Sequence, residues 1–123
     1  MVNILIADDE ETFRDITARG LEASGHEVTA VEDGIEALES LERGQFDLLL
    51  TDIAMPRLDG IALALKVGKD YPVLVIVLMT GYAEEKQRAH NLDALVHEII
   101  AKPFTLDETR AVVTRQFDAR QPS

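Results

Sequence analysis

Five short apolar runs alternate with five segments of helical period, and this alternation limits the possible folds more than any other feature of the chain. The runs lie at residues 3–7, 27–31, 46–51, 73–79 and 97–101. Helices are expected over 10–24, 34–43, 58–69, 83–94 and 105–118. Phe13, Ile16, Gly20 and Leu21 share one face at three- and four-residue spacing, as do Ile35, Leu38 and Leu41; Leu106, Val113 and Phe117 mark the last helix. Such alternation builds right-handed βαβ units around a parallel sheet. The expected fold is therefore α/β, a single doubly wound (βα)5 domain over residues 1–123.

Strand character orders the sheet. Runs one, three and four are apolar almost throughout, as strands covered on both faces are. Runs two and five carry Glu27, Thr29, His97 and Glu98, which an edge tolerates better. The implied order is 2-1-3-4-5, already known for one class of doubly wound sheets and matched here rather than deduced. The 83–94 segment contains Glu84-Glu85-Lys86-Gln87-Arg88 and lacks a good apolar stripe, so it is expected to pack less firmly.

Composition removes several function classes. The chain has no cysteine, which excludes disulfides and thiolate zinc sites. No basic leader opens it and no apolar run reaches a membrane span, so a soluble, cytoplasmic protein with no membrane partner is expected. A net charge of -11 repels phosphate backbones and argues against direct nucleic-acid binding.

The polar residues that end the runs carry the chemistry. Asp8 and Asp9 follow Ile4-Leu5-Ile6-Ala7, Asp52 follows Leu48-Leu49-Leu50-Thr51, Thr80 follows Val73 to Met79, and Lys102-Pro103 follows Ile99-Ile100-Ala101. Open α/β sheets place their sites at this carboxyl edge. Three carboxylates, a hydroxyl and an ammonium collected there suit a phosphoryl group beside a divalent cation. Mg²⁺ takes oxygen ligands and commonly uses one or two carboxylates with phosphate oxygens. Asp9 and Asp52 are candidates for those carboxylates, with Asp8 acting through water. Taken singly, Asp8 and Asp9 equally suit the start of the next helix, and Thr80 a helix cap. His26, His90 and His97 lack metal-ligand spacing, and no phosphate-cradling glycine loop is present.

With these motifs in order, Asp8-Asp9, Asp52 with Met55-Pro56 and Asp59-Gly60, Thr80-Gly81, and Lys102-Pro103-Phe104, the chain resembles the CheY-like receiver domain of bacterial two-component response regulators over essentially its whole length. The resemblance implies a flavodoxin-like fold and a signalling protein rather than an enzyme with an external substrate. Asp52 would accept phosphate from a histidine kinase or histidine phosphotransferase. Asp8, Asp9, Asp52 and the backbone carbonyl of Ala54 would hold Mg²⁺, and Thr80 and Lys102 would contact the phosphoryl group. The phosphorylated form, a monomer or weak dimer, would be read by a protein through the 83–94 helix, the 97–101 strand and the 105–118 helix. One departure stands out: Ile99 occupies the place, three residues before the lysine, where such domains usually carry Tyr or Phe. The signal is therefore expected to pass through movement of the Thr80–Tyr82 loop and the 83–94 helix. Thr80-Gly81-Tyr82 with Ile99-Ile100-Ala101-Lys102 is similar to stand-alone regulators of the CpdR kind.

Two other classes compete. A Mg²⁺-dependent aspartyl-nucleophile phosphatase would carry a second acid two residues after the nucleophile, where this chain has Ala54. A flavodoxin-like electron carrier would need a hydroxyl- and glycine-rich phosphate loop after the first strand, where two aspartates stand instead.

Overall fold

The computed structural model describes residues 2–81, 96–102 and 104–118. Along the chain lie β1 (Asn3–Ala7), α1 (Glu11–Ala23), β2 (Glu27–Val31), α2 (Gly34–Arg43), β3 (Leu48–Asp52), α3 (Gly60–Asp70), β4 (Val75–Thr80), β5 (Glu98–Ala101) and α4 (Leu106–Asp118). The helix expected over 83–94 lies outside the described residues, as do Tyr82 and Pro103. The strands form one parallel sheet in the order β2-β1-β3-β4-β5.

The expected edges are the observed edges. β3 and β4 are buried at every position, whereas β2 and β5 are largely part-exposed. Period-two alternation sends Leu5, Ala7, Leu49, Ile76 and Leu78 into the layer shared with α2 and α3. Ile4, Ile6, Leu48, Leu50, Val75, Val77 and Met79 face the opposite layer, with α1 and α4. Both faces being apolar is what requires helices on both sides.

Several strand boundaries move by one or two residues. Asp47 stays outside β3 because its carboxylate accepts from Asn3 N at 2.9 Å, closing the strand's entry. Val73 is 78 % exposed in the turn where Leu74 N donates to Tyr71 O, so β4 begins at Val75. Asp52 and Thr80 are the last residues of their strands rather than the first of the loops. A helix face is also corrected: Ile16 is 54 % exposed, and α1 buries Thr17, Gly20 and Leu21 beside Phe13. The buried stripe therefore runs through Thr17, Gly20 and Leu21, one position on from Ile16.

Candidate functional site

Parallel register brings three strand ends to one level. Ala7 pairs with Thr51, and Asp52 with Met79, so the residues just past β1 and at the end of β3 are neighbours. The carboxylates of Asp8, Asp9 and Asp52 lie within 4.8 Å of one another. Asp8 is fully buried, Asp52 is 8 % exposed, and Asp9 faces solvent.

Lys102 reaches this cluster from the end of β5. Its backbone N donates to Thr80 O at 2.8 Å, which ties the chain after β5 to the end of β4. Its Nζ lies 2.9 Å from Asp8 Oδ2 and 3.3 Å from Asp52 Oδ2. The same Nζ is 4.4 Å from the centre of the Phe13 ring, and Phe104 meets that ring edge-on with centroids 5.1 Å apart. Phe13 thus offers its electron-rich face to the ammonium. The sequence marked Phe13 only as part of a helix face, because nothing in its spacing announces a contact with Lys102.

Asp8 and Asp52 are held in parallel ways, one oxygen on a backbone amide and the other facing Lys102. Asp8 Oδ1 accepts from Glu10 N at 2.9 Å, while its buried Oδ2 faces the Lys102 ammonium at 2.9 Å as an ion pair without an aligned hydrogen bond. Asp52 Oδ1 accepts from Ile53 N at 3.0 Å and Oδ2 faces Lys102. The capping reading of Asp9 is not met: Glu10 is the N-cap of α1, and no side chain caps it.

Charge does not balance locally. Three carboxylates against one ammonium leave a formal excess of two negative charges inside 4.8 Å. Burial, with the neighbouring Asp8 charge, raises the Asp52 pKa to about 6 even though Lys102 works to lower it. For Lys102, burial favours loss of the proton, but the close carboxylates of Asp8 and Asp52 prevail and its pKa rises. A divalent cation fits this excess in sign and magnitude, and an all-oxygen donor set suits Mg²⁺. Ala54, two residues past Asp52, lies exposed in the loop at the same edge. Thr80 is 4 % exposed at the end of the adjacent strand.

Gly60 shapes the edge from below. A Cβ there would lie 2.1 Å from the backbone oxygen of Asp52, so only glycine lets the start of α3 pass under the β3 terminus. Ile99, half-buried on β5, packs against the α2–α3 side of the core.

Comparison with known proteins gives a consistent result. Residues 4–114 match the family model described as response regulator receiver domain. Response regulator MprA of Mycobacterium ulcerans is 36% identical over 113 residues, covering 89% of this chain and 47% of that protein. The M. leprae MprA is likewise 36% identical, over 89% of this chain and 48% of that protein. The chain spans about half the length of the curated relatives it matches. Among solved structures, a CheY-like receiver domain protein from Methanospirillum hungatei superposes with a TM-score of 0.90 at 30% identity, covering 97% of this chain and 95% of that one. TrrA of Thermotoga maritima, solved in complex with Mg(2+)-BeF, gives 0.84 at 31% identity, covering 94% and 98%.

Proposed function

Because this chain belongs to the response regulator receiver family, whose members are phosphorylated on aspartate in two-component signalling, we propose that Asp52 is the phosphoacceptor. The observation that carries this is the position of Asp52: buried at a strand end, beside Lys102, within 4.8 Å of two further carboxylates. In the transfer, an Asp52 carboxylate oxygen attacks the phosphorus of a phosphohistidine on the donor. The O–P bond forms as the P–N bond breaks, and the electron pair leaves on the imidazole nitrogen. No general base is required, since the attacking group is already an anion.

Asp9, Asp52 and the Ala54 carbonyl hold Mg²⁺ in this reading, with Asp8 supporting them from behind. When bound, Mg²⁺ supplies the positive charge that lets phosphoryl oxygens approach the carboxylates. Lys102 neutralises one phosphoryl oxygen, and Thr80 donates its hydroxyl to another. Residues 1–123 act as one receiver domain, donated to by a histidine kinase or phosphotransferase. A protein partner reads the result at β5, α4 and the 83–94 segment. Hydrolysis of the aspartyl phosphate is self-catalysed. A phosphatase acting on external substrates is not favoured, because the methyl group of Ala54 cannot protonate a leaving group.

Beryllofluoride with Mg²⁺ tests the assignment. It should raise the melting temperature of the wild type and leave Asp52→Asn unmoved; an equal rise in both would reject Asp52 as the acceptor.

A further inference from the structure

The loop between Asp52 and α3, residues 53–59, is pinned at its base, where Gly60 N donates to Ile53 O at 2.8 Å. At its crest Leu58 N donates to Pro56 O, also at 2.8 Å, closing a three-residue turn around Arg57. Arg57 has φ 69, the only non-glycine residue with positive φ among those described. A turn of this hand is rare and strained, and arginine lacks the freedom that glycine has there. Such strain persists only where surrounding contacts over-determine it.

The surrounding contact is Asp33. Arg57 Nε lies 2.8 Å from Asp33 Oδ2 and Nη2 lies 3.1 Å from Oδ1, a two-point fork. Asp33 is only 5% exposed, and its Oδ1 also accepts from Glu36 N at 2.9 Å, capping α2. The guanidinium holds the Asp33 carboxyl below its ordinary pKa. The Arg57 side chain is 55 % exposed, so it is the two-point fork on a nearly buried carboxylate, not burial of both partners, that separates this pair from single-contact surface ion pairs. The two segments also meet through the backbone. A Cβ on Gly34, the first residue of α2, would lie 2.5 Å from Leu58 O.

We propose that Asp33 and Arg57 form a clamp that fixes the 53–59 loop, and with it the Ala54 carbonyl, in the position that holds the cation. Both are positioning residues, since neither reaches the carboxylate cluster. The inference rests on the Mg²⁺ reading above for its effect on affinity, but not for its effect on the loop.

Two substitutions break the pair differently. Asp33→Ser keeps a side-chain oxygen to cap α2. Arg57→Gly removes the fork while relieving the strained backbone. Amide exchange in Mg²⁺-free buffer reads the loop directly, and Mg²⁺ titration followed by thermal shift reads affinity. Each variant should speed amide exchange at residues 54, 55, 57 and 58. Each should also weaken Mg²⁺ binding about threefold to tenfold, less than the roughly 10–100-fold typical of residues bonded directly to ligands. The double variant should be no worse than the worse single one, because both remove the same contact. Unchanged exchange and affinity in both variants, or fully additive effects, would overturn the clamp. Mg²⁺ affinity lost in Asp9→Ala but intact in Asp33→Ser and Arg57→Gly would overturn it while leaving the cation site standing. Mg²⁺ affinity unaffected by Asp9→Ala would instead reject the cation site, and loop exchange would still decide the clamp.

Discussion

Lys102 Nζ lies 2.9 Å from Asp8 Oδ2, joining the lysine that follows an edge strand to a fully buried carboxylate on the far side of β3 and β4. The contact spans the sheet edge and encloses Asp52 on its way. Removing the ammonium takes away the one cation that pairs with the carboxylates of this cluster among the described residues. Lys102→Met should therefore cost about 1–3 kcal/mol in Mg²⁺-free buffer, below the roughly 3–5 kcal/mol for breaking a fully buried pair because Lys102 is partly exposed. Chemical denaturation with and without Mg²⁺ checks this, and the deficit should narrow when Mg²⁺ is added. A deficit independent of Mg²⁺ would contradict the charge argument.

Asp9 is the most exposed carboxylate of the three and accepts no cap hydrogen bond, so it is the one most available to a cation. Mg²⁺ binding to the native state alone raises stability by mass action. Asp9→Ala should abolish most of the Mg²⁺-dependent rise in melting temperature while leaving the Mg²⁺-free protein equally or more stable. Equal rises in both proteins would exclude Asp9 as a ligand.

Asp52 makes stability depend on pH in a direction opposite to that of an ordinary ion-paired aspartate. Its native pKa is raised to about 6, mainly by burial, whereas an unfolded aspartate titrates near about 4. The native state therefore binds the proton more tightly. The stabilisation is complete below about 4 and is lost as pH rises through about 6. Mg²⁺-free wild type should lose stability relative to Asp52→Asn across that window. Asp33, whose pKa is lowered, acts in the reverse sense but equally in both proteins, so the difference isolates Asp52. Parallel melting curves from pH 4 to 7 would reject the assignment.

Gly60→Ala should destabilise the fold by about 2–4 kcal/mol, because the added carbon meets backbone at 2.1 Å and cannot be relieved by a rotamer change. Urea denaturation measures it. A loss below about 1 kcal/mol would show that α3 can shift without cost to the β3 terminus, and the close approach would not matter.

What the sequence disclosed and what it hid have a common cause. Asp8, Asp52, Thr80 and Lys102 could be read because each ends an apolar run, and a parallel sheet brings all such ends to one edge. Edge and centre strands were readable because burial on both faces demands unbroken apolar runs. The Asp33–Arg57 fork and the seat of Lys102 on Phe13 were not, since they join side chains from different loops and layers whose meeting no periodicity records. Asp33 before Gly34 did carry a capping signal, but its second partner depends on the backbone turn at Arg57. Ile16 misled for a related reason: three- and four-residue spacing defines a stripe, while the packing of Gly20 and Leu21 decides which edge of that stripe faces the core.

Asp52 alone is proposed to take the phosphoryl group. Intact-mass spectrometry after incubation with acetyl phosphate and Mg²⁺ tests it most directly. The wild type should gain the mass of one phosphoryl group, lose it again on standing, and show no gain when Mg²⁺ is chelated beforehand. Asp52→Asn should gain none, and phosphorylation of that variant to the wild-type extent would contradict the account.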